Sequence, residues 1–236
     1  MKKQLASIWL ALVALVFVSG CATNVYNKEE LSKPGSRFAI VSFGGLTSGL
    51  GMSESEDLKM ITALDNVVYK ELGQSKHFRL VTPSAVKASR TYALIKGEPT
   101  DGMYTLKVAR GYKKFDPRKE ADNLAKLMDE LHLDGVLLVT AYYGKKERSA
   151  FVSGLVKLPF VSGGVANGHV TYTVVAYNRK NEVIWQDSVE ATTQESAIMV
   201  MGIANMAKIY PQLVDITQEA SRMVLKDLDA NVGKSG

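Results

Sequence analysis

The residues that could do chemistry in this chain are few and scattered. Its three histidines, His77, His132 and His169, fall on three separate stretches, and each reads as structural or solvated rather than as a base. Ser153-Gly154 and Ser162-Gly163 could mark a nucleophile, but neither lies in a G-x-S-x-G context. Gly44-Gly45, Gly49 and Gly51 follow an apolar run as a phosphate loop would. The chain has no G-x-x-x-x-G-K-[ST], and dinucleotide-type glycine spacing is missing. This stretch therefore reads as a flexible connection into a helix. Acid, base and nucleophile are nowhere gathered, so no enzyme activity and no cofactor is expected. Three histidines and one cysteine leave little for a metal site.

The single cysteine, Cys21, has a distinctive context. Lys2 and Lys3 give a positive start, and Ile8 to Val18 (IWLALVALVFV) is an uncharged apolar run. That run is shorter than the roughly 20 residues needed to cross a bilayer. Small residues Ser19 and Gly20 then precede Cys21, as cleavage requires. Val18-Ser19-Gly20-Cys21 resembles the bacterial lipobox, with Val in place of the usual Leu. The resemblance implies that residues 1–20 are removed and that Cys21 is acylated. Ala22, rather than Asp, implies sorting to the outer membrane. An ordinary secretory signal or an uncleaved anchor is the competing reading. A lone cysteine also suits export, since it has no thiol to pair with.

The elements that follow must position whatever the chain does. The net charge of +5 falls to +3 without Lys2 and Lys3, too mild to argue for nucleic acid. Residues 21–35 are polar and read as a tether. Arg37-Phe38-Ala39-Ile40-Val41 predicts a buried strand. Ser53 and Glu56 form a capping box before Leu58, Ile61, Leu64, Val68 and Leu72 at helical spacing. A strand at Phe78–Val81 and a helix opened by Thr82-Pro83 follow; that helix carries Val86, Ala93 and Leu94 and ends at Gly97. Asp116-Pro117 opens another, with Leu124, Leu127, Met128 and Leu131 on one stripe. The apolar run 135–143 predicts a central strand. Residues 169–178 and 182–192, joined by Arg179-Lys180-Asn181, predict a hairpin. A helix over 215–230 carries Ile216, Ala220, Val224 and Leu228. The expected fold is one α/β domain over 36–232. It has a mixed sheet, flanking helices and a C-terminal antiparallel hairpin.

Two segments stand apart from this scaffold, at 144–168 and 194–213. The first repeats Phe151-Val152-Ser153-Gly154 as Phe160-Val161-Ser162-Gly163. Lys145, Lys146, Arg148 and Lys157 flank or punctuate its apolar residues. Long connections of this kind are functional or disordered, and the apolar content argues against disorder. Phe151, Val152, Leu155, Val156, Leu158, Phe160 and Val161 are the candidates for membrane or partner contact.

Taken with the lipobox, Arg37–Val41, the helix ending at Leu72 and Phe78–Val81 resemble the N-terminal domain of TolB and related lipoproteins. Asp134–Val139 resembles the central strand of that fold. Val170–Asn178, the turn and Val183-Ile184-Trp185 resemble the sheet hairpin of CsgG, the curli-secretion lipoprotein; the peptidoglycan-synthase activator LpoB shares the architecture. The resemblance covers roughly residues 37–230 and rests on element order. It implies a lipid-anchored envelope protein on the periplasmic side of the outer membrane, with a protein partner or self-association. In CsgG-like proteins two segments near the hairpin become membrane-spanning, and 144–168 and 194–213 sit at similar places. The function expected is assembly, secretion or scaffolding. The alternatives are a CsgG-like oligomeric channel and an LpoB-like activator of a peptidoglycan synthase.

Overall fold

The computed structural model describes residues 24–47, 50, 52–100, 106–148, 164–199 and 206–233. Its elements run β1 (Val25–Tyr26), α1 (Lys28–Leu31), β2 (Arg37–Thr47), α2 (Glu54–Leu72), β3 (Arg79–Leu80), α3 (Pro83–Ala88), α4 (Arg90–Leu94), β4 (Lys107–Val108), α5 (Ala121–Leu131), β5 (Gly135–Arg148), β6 (Gly164–Asn178), β7 (Val183–Met199) and α6 (Met206–Val232). The strands form one seven-stranded mixed sheet in the order β1-β7-β6-β5-β2-β3, and β4 pairs with β2. β2 runs parallel to both β5 and β3; the β5–β6–β7 side is antiparallel. This is the expected α/β class, with 135–143 in the middle of the sheet.

Hydrophobic patterning accounts for the layers. Phe38 to Gly45 is buried at every position, which requires cover on both faces of β2 because successive side chains alternate. On α2, Met60, Ile61, Leu64, Val68 and Leu72 are buried, whereas Leu58 faces solvent. Ile216, Ala220, Val224 and Leu228 of α6 are fully buried. α2 and α6 pack side by side against one face of the sheet. Tyr143 on β5 meets Thr217 on α6, oxygen to oxygen at 2.9 Å. On the β5–β7 side buried and half-exposed residues alternate, so the second face there meets water, as antiparallel sheets allow.

Four expectations need correction. Residues 24–35 are not a loose tether. β1 pairs antiparallel with β7 at Gln186 and Trp185, and Leu31 is buried. Val25, Tyr26 and Leu31 supply enough apolar surface to dock a segment that its polar average hides. The helix expected from Pro83 to Gly97 breaks at Ser89, whose ψ of 133° is extended. Ser89 instead caps α4 through the Tyr92 N–H at 3.0 Å, burying Tyr92 and Ile95 and leaving Leu94 exposed. After Asp116-Pro117 the chain makes turns, and helix begins at Ala121. The two segments set apart also merge partly with the scaffold. Residues 144–148 belong to β5, 164–168 to β6, 194–199 to β7 and 206–213 to α6.

Candidate functional site

Ligands of open α/β sheets bind beyond the carboxyl ends of parallel strands, which in this sheet points to the end of β2. The chain leaves β2 at Thr47 and enters α2 through the Ser53 capping box. The Ser53 hydroxyl accepts the Glu56 N–H at 3.4 Å, and the Glu56 carboxylate accepts the Ser53 N–H at 2.7 Å. The Ser53 hydroxyl, donating to the Glu56 carboxylate at 2.6 Å, and then the Ser53 N–H hold that carboxyl below its usual pKa. Glu54, Glu56 and Asp57 fill the first turn. An anion would meet carboxylates at the helix end that otherwise attracts it. A phosphate site is therefore disfavoured here, in line with the missing sequence motif.

Charged groups nearby are spent on bracing. Thr47 hydrogen-bonds Asp57, and burial pushes the Asp57 carboxyl up. Lys107 pairs with Glu54 and donates to the Thr100 carbonyl at 2.7 Å. Lys87 reaches Asp65 at 3.0 Å and lies 4.0 Å above the Tyr112 ring. Burial, with the Asp65 charge beside it, pushes the Tyr112 hydroxyl up, so it stays protonated. Tyr92 donates to the Val41 carbonyl at 2.8 Å and accepts the Lys113 N–H at 2.9 Å. Lys113 Nζ caps the end of α4 through the carbonyls of Tyr92, Ala93 and Ile95 at 3.1, 2.8 and 2.6 Å. These bonds fix the 106–115 stretch against α2 and β2. Sequence inspection missed the Asp65, Lys87 and Tyr112 group, whose members come from three separate stretches.

The histidines stay apart. His77 faces Asp229 of α6 at 3.0 Å, His132 ends α5 in a left-handed conformation, and His169 meets Thr192 across β6 and β7 at 3.2 Å. Among the described residues no group of three or more metal-ligating side chains converges, and no helix is long and apolar enough to cross a membrane.

The β5–β6–β7 ribbon bears on the contact residues. The β5–β6 ladder continues to Arg148↔Val165, and the β6–β7 ladder to Gly164↔Met199. Beyond Tyr143, which pairs with Thr47, β5 has no register partner on β2. The ribbon end thus gathers both ends of the 149–163 segment and the exit of β7 towards α6. Cys21 and the contact candidates Phe151, Val152, Leu155, Val156, Leu158, Phe160 and Val161 lie outside the described residues.

No family model matches the chain, and no curated protein matches it. Among solved structures it is similar to a neuraminyllactose-binding hemagglutinin homolog from Helicobacter pylori, with 9% identity, a TM-score of 0.42 and coverage of 86% of this chain and 87% of that one. It is similar to lipoprotein GNA1162 from Neisseria meningitidis, at 11% identity and TM-score 0.36, covering 77% of this chain and 94% of that one. The LpoB C-terminal domain from Salmonella enterica gives 14% identity and TM-score 0.34, covering 71% of this chain and 96% of that one. Bacterial lipoproteins are thus among its structural neighbours. At these values the likenesses transfer no residue role.

Proposed function

We propose that this chain is a non-enzymatic binding or assembly protein of the cell envelope. It is anchored through lipid on Cys21 at the periplasmic side of the outer membrane and holds a protein partner at its ribbon end. The observation that supports the reading is the convergence at that end. The pairings Arg148↔Val165 and Gly164↔Met199 bring together the borders of both segments whose sequences are apolar without helical or strand periodicity. Apolar sequence of that length outside the periodic elements rarely lacks a role where it is exposed.

β1 docks part-way along β7, and its N-terminal side points along β7 towards the ribbon end. Val25 follows Cys21 by four residues, so the lipid attaches within about 14 Å of the start of β1. β1 docks at Gln186, which pairs with Val175, whereas the ribbon ends at Gly164. At about 3.3 Å per residue along β6, that distance is roughly 36 Å. The channel alternative requires paired strands from the second segment as well. Among its described residues that segment supplies one strand, the end of β7, and the start of α6.

Changing Phe151 and Phe160 together to Ser tests the reading. Folding stability should stay within about 0.5 kcal/mol of the parent, as for surface sites, while partner capture by crosslinking in cells is lost. A loss of several kcal/mol would make both rings core; unchanged stability with unchanged capture would make the segment idle.

A further inference from the structure

The outer side of α6 carries charges in an order that the fold does not explain. Asp215, Glu219, Arg222 and Lys226 are exposed and line a shallow groove of about 410 Å³ together with Gln218 and Met223. At 3.6 residues per turn these four charges lie within about 60° of arc, a single row about 16 Å long. The first two are acidic and the last two basic. Within the helix, Asp215 with Glu219 and Arg222 with Lys226 are like-charged neighbours at i,i+4, and only Glu219 with Arg222 at i,i+3 offsets them. The helix dipole does not account for this order, because its effect fades within the terminal turns. α6 starts at Met206 and ends at Val232, more than a turn beyond the row at either end. Among the described residues Asp215, Glu219 and Lys226 form no ion pair. Arg222 contacts Glu71 at 3.0 Å through Nε, and its side chain remains 63% exposed.

We infer that this row is a two-fold interface with a second copy of the chain, α6 against α6 in antiparallel orientation. With the axis level with the point between Ala220 and Ser221, Asp215 of one copy faces Lys226 of the other. Glu219 then faces Arg222, and both pairs occur twice. A self-complementary surface is what an isologous dimer requires, and the pattern that strains one helix becomes complementary across two. The pairs are exposed, so the dimer is weak and sensitive to salt. Confinement of both copies to one surface would raise their effective concentration. The interface depends on neither the lipid nor the ribbon end.

Sedimentation of the full chain in detergent, over a concentration series at low salt and at about 1 M salt, reads the association. The parent should dimerise at low salt and dissociate at high salt. Asp215→Lys and Lys226→Asp should each weaken the dimer at least tenfold. An equimolar mixture of these two variants should dimerise again, because every pairing of position 215 with position 226 across the axis then joins opposite charges. The double exchange in one chain should do the same. Recovery in the mixture also shows that both variants are folded. A parent that stays monomeric at every concentration, single variants that associate like the parent, or a mixture that stays monomeric would each overturn the inference. Retention of another protein by a monomeric parent, lost in the variants, would likewise overturn it in favour of a different occupant. The Phe151 and Phe160 double variant should dimerise normally, which separates this interface from the contact proposed at the ribbon end.

Discussion

Gly135 opens the central strand β5 where both a ring and a backbone carbonyl crowd it, and replacing it with Ala should be costly. A Cβ there would stand 2.4 Å from Phe38 Cε1 and 2.8 Å from the Tyr177 carbonyl oxygen. Comfortable carbon contacts are about 3.5–4.0 Å, so about 1 Å of movement is needed on each side. Neither neighbour yields easily. Phe38 is 1% exposed and packs on Phe78 with ring centroids 5.0 Å apart. Tyr177 belongs to the ladder that pairs β6 with Val136. Overpacking of this kind costs about 1–3 kcal/mol, sometimes more, and two obstructed directions place Gly135 at the upper end. Reduced freedom of the unfolded chain returns about 0.4–1 kcal/mol, so the expected net loss is about 2–3 kcal/mol. Gly44→Ala is the control. Its Cβ would meet Leu106 Cδ2 at 2.6 Å and the Lys107 oxygen at 3.3 Å, and a leucine tip can turn aside. That variant should lose about 1 kcal/mol or less. Phe38→Leu should lower the cost of Gly135→Ala by about 1 kcal/mol, a coupling expected of residues in contact. Urea denaturation with unchanged m-values measures all three. Gly135→Ala within about 0.5 kcal/mol of the parent, or no more costly than Gly44→Ala, would refute the packing argument.

Further outcomes follow from other parts of the molecule. Leu127 on α5 is fully buried, so Leu127→Ala should lose about 2–5 kcal/mol in chemical denaturation. Cys21→Ala should abolish lipidation and leave the protein unprocessed or released to the periplasm, as read by fractionation and intact mass. Asp187 is fully buried, and burial pushes its carboxyl above the ordinary 3.8. The folded state therefore holds this proton more tightly than the unfolded chain. Its contribution to stability is complete below about pH 3.8 and is lost as pH rises through the raised value. Asp187→Asn should remove that slope and be relatively more stable at neutral pH. A parallel pH profile for the two proteins would contradict the assignment.

The parts of the fold visible in the sequence were those with strong periodicity and caps. Ser53 with Glu56, Thr82-Pro83, the stripes on α2, α5 and α6, and the run 135–143 each pair a local signal with a burial pattern. The β6–β7 turn was visible too, and its Asn181 takes the positive φ of 60° that Asn tolerates. What escaped lacked that redundancy. Val25, Tyr26 and Leu31 dock a short edge segment in a polar context. Ser89 breaks a helix because its hydroxyl caps the next one, a competition that composition alone does not settle. The strands run past Gly144 and Gly168 through backbone pairing, which leaves no hydrophobic alternation to read. The Asp65, Lys87 and Tyr112 group needed the fold to bring it together. The row on α6 needed only the helical register, but it has meaning only against a second copy.

Photo-crosslinking in intact cells tests most directly whether the anchored domain holds a partner at its ribbon end. A photoreactive residue at Glu147 on β5 samples the ribbon end, and one at the exposed turn residue Lys180 samples the opposite end of the same strands. Position 147 should give a discrete protein adduct and position 180 none, and the adduct should be lost when Phe151 and Phe160 are both changed to Ser. No adduct from position 147, or the same adduct from both positions, would contradict that reading.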